Sequence, residues 1–529
     1  MKKSTIFLAS LFLMFLCYNC DCDNCDCDKN NPDAEELMLT VSGSLKEEIN
    51  ENNISKVTKL TINGTISGED WNILFEMAVL GKLEILDMTN AKIKGIEGSE
   101  YWRDDEIPEY NFSGSKNLKE VFLPKHLKVI GTEAFSNCKK LTTVHFSNEI
   151  DSIATRAFYT SGLSGEFNIP KSLRVIAKQA FADTKFNKVI VQSDILAAKD
   201  SMMYTLYNNS VFANCKNLTE VIVNEGVTIL EVGFTHCSSL HTVSLPNSLE
   251  VIGYMSGSTH NYIFSGCKNI ETITLPKNLW FIGHNAFSYT SLKQIDIPDH
   301  VQYLWTYAFA NCEFLEDVRL SESLSTIGQG CFEECKLLSN LTIPKNVTTI
   351  GFSAFGNCSS LQSITFHDNI QSISGNAFIG CTSLGEIILP HALESLGSSA
   401  FEGCSTLSKV IISNNLKEIE ATTFKDCIEL QNVILGESIS TLGSACFFHC
   451  PKLTRIIIPK TVETIESYAF AYTGIKELTV LWDIPIAIHN NVFDGINLSK
   501  TTLKVPIGAK DIYTTSTVWQ DFGLIEELW

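Results

Sequence analysis

Cysteine carries most of the reactive chemistry in this chain, with 18 thiols among 529 residues. Five fall in one run, Cys17-Tyr18-Asn19-Cys20-Asp21-Cys22-Asp23-Asn24-Cys25-Asp26-Cys27-Asp28. Thiolates alternating with carboxylates could tether a soft metal. No folded scaffold fixes ligand geometry there, so a solvated acidic linker to about Glu36 is expected instead. Eleven more cysteines recur at one spacing: Cys138, Cys215, Cys237, Cys267, Cys312, Cys335, Cys358, Cys381, Cys404, Cys427 and Cys450. Stacked strands would space them by about 4.8 Å, whereas a disulfide needs Cβ atoms at about 3.8 Å. They are expected to be small buried hydrophobes. Cys331 and Cys446 stand four residues before Cys335 and Cys450. Those pairs could bridge or, with His449, hold a metal, but a filled core is the expectation.

Other catalytic signals are missing from the sequence. The 11 histidines form no His-Glu-x-x-His, and no phosphate-cradling Gly-rich loop follows a strand. No Gly-x-Ser-x-Gly stands in a strand–turn–helix context, and Asp-rich calcium loops are absent. His145, His236 and His449 fall at variable positions, where a surface or satisfied core side chain is expected. The reading is a non-enzyme with no cofactor and no resident metal. A hydrolase would need acid–base groups converging in a pocket from distant parts of the chain. The charge balance of 40 basic against 60 acidic residues, net −20, disfavours nucleic acid and anionic membrane surfaces. A hydrophobic content of 44% excludes a disordered chain.

The N-terminus is expected to be processed. Lys2 and Lys3 precede an apolar run from Ile6 to Leu16, the pattern of a secretory signal and too short to span a membrane. The Cys behind it resembles a bacterial lipoprotein signal, and the acidic residues that follow resemble the surface-export signal of Bacteroides-type lipoproteins. Cys20 is the expected acylation site, with Cys17 the alternative. The expected divisions are a signal peptide over 1–19 and a tether over 20–36. The resemblance implies export and a lipid anchor in the outer membrane, facing outward.

The elements that must position any site come from a repeat. Phenylalanine recurs at 112, 135, 158, 181, 212, 234, 264, 287, 309, 332, 355, 378, 401, 424, 447, 470 and 493, and twelve of the sixteen intervals are 23 residues. One copy shows the plan. Leu361 to Phe366 alternates apolar and polar like a half-buried strand, Ile370 to Ile373 does so more briefly, and Ala377 to Cys381 makes a turn or short helical piece. Many copies carry Pro after the first strand, as at Pro344 and Pro390, where the ladder ends. Many carry Gly after the second, as at Gly351 and Gly397, read as a turn needing φ freedom. A single copy cannot bury its apolar face, and stacked copies make one core. The fold class is therefore an α/β repeat solenoid, mostly β, of about 17 copies.

This unit resembles the BspA-like, or treponemal-type, leucine-rich repeat family. Leu384, Ile387, Leu389, Pro390, Leu393, Leu396, Gly397, Ala400, Phe401 and Cys404 carry the match. The resemblance covers 112–496 and implies an exported, non-catalytic protein of adhesion or protein binding. Residues 37–111, with strand-like Val57–Ile62 and Leu83–Met88 around a helical Asp70–Leu80, are expected to be an N-terminal cap. Residues 497–529, with Tyr513, Trp519, Phe522 and Ile525, are expected to close the other end. The expected ligand is an extracellular protein or a glycan. A rival reading is a structural, self-associating envelope protein.

Two candidate binding regions follow from the pattern. In the first strands Ile388, Ile411, Ile434 and Ile457 occupy the second outward position of four consecutive copies. Lys409 and Arg455, with Glu386 and Asn432, take the first, giving an apolar stripe rimmed by charge. Two long intervals, 181–212 and 234–264, hold inserted loops with Tyr204, Tyr207, Tyr254 and Tyr262. Exposed aromatics there would supply contact area. Asp151-Ser152-Ile153 and Asp200-Ser201-Met202 resemble O-glycosylation sequons of Bacteroides-type exported proteins.

Overall fold

The computed structural model describes residues 37–49, 53–99, 102–197, 210–254 and 262–528. The Cys17 to Cys27 run therefore lies outside the described residues. The chain winds as a mostly-β solenoid in which every strand pair among the described residues is parallel. Each turn adds a strand of about three residues to a first sheet, as Glu386–Ile388, Lys409–Ile411 and Asn432–Ile434 do. It then adds a two-residue strand to a second sheet, such as Thr349–Ile350 or Ser372–Ile373. The second sheet runs unbroken through eight strands, from Ile229–Leu230 to Ser395–Leu396. Parallel pairing is forced by the winding, because consecutive copies meet after one full circuit.

The third side of each turn contains no helix. Helices among the described residues lie only at the ends: Leu45–Glu48, Asp70–Phe75 running on as a π-helix over Glu76–Leu80, and Lys510–Tyr513, with 3-10 pieces at Leu498–Lys500 and Trp519–Asp521. Around most column Phe residues the backbone instead alternates between right- and left-handed conformations. At Phe378, residues Asn376 and Gly380 hold φ of 58° and 68°. This alternation aims the N–H groups of Asn376, Phe378 and Gly380 the same way. They donate to the carbonyls of Ser398, Ala400 and Glu402 in the following turn, at 3.0, 2.8 and 2.8 Å. Neighbouring turns repeat the set, for example from Glu133, Phe135 and Asn137 to Thr155, Ala157 and Tyr159. The left-handed region is cheap for Gly and tolerable for Asn and Asp. Arg156, Tyr307 and Ala445 occupy it as well, because the ladder over-determines their conformation.

The phenyl rings run inside this ladder as a continuous stack. Successive centroids lie between 4.9 Å, for Phe112 and Phe135, and 5.9 Å, for Phe470 and Phe493. Each buried ring contributes about 1.5–3 kcal/mol by removal from water. Both ends of the stack meet tryptophan edges: Trp71 stands edge-on to Phe112 at 6.4 Å, and Trp519 to Phe493 at 6.1 Å. Beyond Phe493, Tyr513 Oη donates to the Trp482 carbonyl at 2.9 Å, and Trp519 Nε1 donates to that of Ile486 at 2.8 Å.

The eleven repeat cysteines are buried and free, and they do more than fill space. Each thiol donates to the carbonyl of the column Phe in the preceding turn, from 3.0 Å for Cys138 to Phe112 to 3.3 Å for Cys404 to Phe378. At Ser115, Thr184, Thr290 and Thr473, which take the place in other turns, the hydroxyl donates to the carbonyl of its own turn's Phe. Cys331 and Cys446 occupy a position held by Ala in most turns, such as Ala354 and Ala469, and are buried and unbridged. His449 is directed elsewhere, its Nδ1 lying 2.7 Å from Asp426 Oδ1. Burial pushes the thiols of Cys138, Cys267, Cys404 and Cys450 up to about 12.

Among the glycines after the second strand, Gly253 has the expected positive φ, 98°, but the others require a correction. Gly131, Gly351 and Gly443 do not have positive φ. They are needed because a Cβ would sit 2.7–2.8 Å from the carbonyl oxygens of Ile107, Ile327 and Ile419 in the preceding turn. The constraint is close backbone approach.

Two outcomes follow. Ala445, at φ 55°, gains from replacement by Gly: Ala445→Gly should raise stability by about 1 kcal/mol, read as a higher denaturant midpoint. The thiols of Cys138, Cys267, Cys404 and Cys450 bind protons more tightly in the folded chain than at their ordinary value of 9.0. Their contribution is full below pH 9 and is lost as pH rises toward 12, since the unfolded chain then holds fewer protons. Thermal midpoints should fall steeply across that window, and a flat profile to pH 11 would contradict the buried assignment.

Candidate binding surface

The first sheet presents its outward residues in strict register. Ile388, Ile411 and Ile434 are paired across adjacent strands, as are Glu386, Lys409 and Asn432. Their inward neighbours Ile387 and Val410 are buried, which fixes the outward side by alternation. Ile388, Ile434 and Ile457 are 63%, 54% and 60% exposed. Ile411, in the row with them, is half-buried. The stripe is thus three exposed isoleucines and one half-buried one.

Polar residues bound the stripe. Toward the N-terminus the same position holds the exposed residues Asp296, Arg319, Thr342 and Thr365. Toward the C-terminus it holds Thr479 and then Lys504. The flanking cations are already paired: Lys409 Nζ lies 3.8 Å from Glu386 Oε2, and Arg455 Nε lies 4.0 Å from Glu477 Oε1. These are exposed pairs of little energetic weight. They leave the rim nearly neutral, so apolar contact must supply any affinity here.

The inserted loops contribute less than their aromatic content promised. Tyr204 and Tyr207 lie outside the described residues. Tyr254 and Tyr262 are half-buried at the roots of the second insertion. Burial, and then the charge of Glu231, push the Tyr254 phenol above its ordinary value. The Tyr262 carbonyl accepts from Ser210 Oγ and Thr235 Oγ1 at 3.1 and 2.6 Å. These two tyrosines tie the insertion to the solenoid and are not exposed contact residues.

The remaining polar groups are structural. The cleft near the N-terminus, about 450 Å³, contains Asp70. Its carboxylate is engaged by Ser44 Oγ and the backbone N–H groups of Lys46 and Ser67, at 3.3, 3.3 and 3.0 Å. His145 pairs with Glu120 at 2.8 Å and stacks on Phe122. His236 sits in a left-handed turn position with its pKa pushed down by burial, over Gly266, whose missing Cβ leaves it room. Among the described residues no group of three His, Cys, Asp or Glu could hold a metal. Asp151 is committed to Arg174, and Ser152 beside it is a half-buried strand residue. Asp200 and Ser201 lie outside the described residues.

Charge placed on the stripe separates its roles. Ile434→Asp should leave the circular dichroism and melting temperature nearly unchanged, since the side chain already faces water. Ile411→Asp should cost more, about 1–3 kcal/mol, because a half-buried carboxylate loses solvation there. Collapse of the fold on Ile434→Asp would contradict the outward placement.

Residues 104–205, 203–259, 257–385 and 372–500 match a family model described as "BspA type Leucine rich repeat region (6 copies)". No curated protein matches the chain. Among solved structures, a leucine-rich repeat protein from Bacteroides ovatus shares 23% identity over 81% of this chain and 88% of its own, with a TM-score of 0.41. The T. pallidum leucine-rich repeat protein shares 30% identity over 30% of this chain and 78% of its own, with a TM-score of 0.29. A leucine-rich cell surface protein from Faecalibacterium prausnitzii shares 22% over 66% and 87%, with a TM-score of 0.36. The family model spans well over half of the sequence, and the winding, the phenylalanine stack and the buried cysteine column recur throughout that span: the chain belongs to the BspA-type leucine-rich repeat family.

Proposed function

We propose that this is a non-catalytic recognition protein, exported and held on the outer face of the outer membrane by a lipid on Cys20, or on Cys17. It would display its first sheet to an extracellular protein. The observation that carries this reading is the row of exposed isoleucines at 388, 434 and 457 on a sheet whose geometry does not need them. Equivalent positions in earlier turns hold Thr342 and Thr365 without disturbing the strands. Contiguous exposed apolar surface on a monomer marks an interaction site. In this reading 1–19 is the signal, 20–36 the tether, and 37–111 and 497–529 are caps around the repeats.

A second reading uses the same stripe for self-association, making the protein a structural part of the envelope. The neutral rim favours neither. Among the described residues no helix is long and apolar enough to cross a membrane, so the reading places the membrane contact on the lipid.

Mass spectrometry of the mature N-terminus tests the anchor. A lipidated Cys20 or Cys17 is expected, and replacing both by Ala should release the protein from membranes. A mature chain that starts beyond Cys27 without lipid would overturn this. Cross-linking on intact cells then reads the partner. Ile434→Asp should lower capture of a foreign protein at least tenfold in the recognition reading, and should instead dissolve homomeric cross-links in the structural one.

A further inference from the structure

A second, different surface lies on the other strand series. Its sequence basis is a local departure from the repeat. The residue after the inward position of the second strand is Gly283 in one turn and Gly328 two turns later, but Trp305 between them. The residue before that strand is Trp280 where later turns hold Gln302, Ser325 and Thr348. The strand opens with Tyr303 where its successors hold Thr326 and Thr349. The turns with Thr, Ser and Gln stack just as well, so the fold does not require these aromatics.

The rings form one connected group. Trp280 meets Tyr303 edge-on at 6.0 Å and Phe281 at 5.7 Å. Phe281 in turn meets Trp305 at 5.6 Å, and the His284 ring stands perpendicular to that indole at 4.7 Å. Phe281 is buried beneath the group. Trp280 and Trp305 are half-exposed, and Tyr303 is 47% exposed. Beside them runs a cleft of about 230 Å³, whose polar lining is Gln302, Thr306, Ser325 and Thr326. No residue lining the cleft is charged.

We propose that this platform binds a neutral glycan through the C–H face of a pyranose ring. Pyranoses present an apolar face and a hydroxyl rim. Indole and phenol rings match the first, and the amide and hydroxyls of Gln302, Thr306, Ser325 and Thr326 can donate to and accept from the second. Absent charge in the lining selects against uronic or sulfated sugars, and a chain of net −20 repels them further. The cleft is smaller than the roughly 300–1,000 Å³ of sites that engulf a drug-sized ligand, so it takes one or two rings of a glycan lying across the surface. The inference deepens the recognition reading and rests on it, but uses residues separate from the isoleucine stripe.

The test is calorimetric titration of the full chain with neutral hexose polysaccharides (a β-glucan, an α-mannan and a galactan), alongside heparin and a proline-rich peptide. Trp280→Gln, Tyr303→Thr and Trp305→Gly each install a residue found in a neighbouring turn, and Trp305→Phe keeps a ring. Binding of at least one neutral polysaccharide is expected. Trp280→Gln and Trp305→Gly should each weaken it about tenfold or more, Trp305→Phe should weaken it less, and melting temperatures should hold. No neutral binding, preference for heparin or the peptide, or equal affinity in the Trp variants would overturn the proposal. Ile434→Asp should leave glycan affinity unchanged. Loss of glycan binding with protein capture intact would sink the platform alone, and absence of both would sink the recognition reading as well.

Discussion

The fold rests on one constraint: at the column Phe turns the backbone must change hand so that its amides face the following turn. With that change, two or three hydrogen bonds per interface close the third side of the solenoid, three from Asn376, Phe378 and Gly380 and two from Phe234 and His236. The phenyl rings are carried into register within about 6 Å of each other. Without it those amides would be orphaned next to a dry core, at a cost of about 1–3 kcal/mol each. The long intervals, 181–212 and 234–264, take their extra residues before the Phe turn, and there the turn keeps two of its amide bonds, from Phe212 and Asn214 and from Phe264 and Gly266.

A ladder with one polarity must also be terminated. In the last turn the amides of Asn491 and Gly495 are met by His489 Nδ1 and Asp494 Oδ1, at 3.4 and 3.1 Å. Side chains thus replace the carbonyls that a further copy would have offered. The ring stack is ended in the same spirit by tryptophans set in T-shaped contact with the terminal Phe rings. Because turn, core and ends carry the stability between them, the outward positions of both strand series are released from structural duty. That freedom allows the isoleucines in one region and the aromatics of 280–305 in another without altering the winding.

Much of this was legible in the sequence, for a physical reason: inward side chains repeat at 23 residues because the winding does. The Phe column, the strand positions and the outward facing of Ile388, Ile434 and Ile457 all follow from that periodicity. The hand of the turn does not, because Arg156, Tyr307 and Ala445 carry no left-handed signature and adopt φ > 0 only under the ladder's demand. Gly131 and Gly351 were legible as necessary but not as to why, since close approach between turns leaves the same mark as free φ. The half-burial of Ile411 was not legible, since its position in the repeat is the same as that of Ile388 and Ile434. Trp280 and Trp305 stood at positions whose residue type varies from turn to turn. Only stacking brings them together, although an indole in a glycine column was a signal available to find them.

The thiols show how the same constraint governs chemistry. The thirteen unbridged cysteines of the described residues sit uneasily with the proposed export to an oxidising compartment, where pairing is the usual fate. Oxidation, however, proceeds through the thiolate. Burial holds Cys404 and Cys450 near 12, so the reactive form is scarce at neutral pH. Each repeat thiol is also spent on the Phe carbonyl of the turn before it. A disulfide between neighbouring turns would withdraw both donors and leave each Phe carbonyl only the backbone N–H of its own turn's Cys, as Phe355 has from Cys358. It would also pull the Cβ atoms below the spacing that the strands impose. The native packing therefore protects these cysteines both kinetically and thermodynamically, and the column that looked most reactive in the sequence is among the least reactive parts of the folded chain.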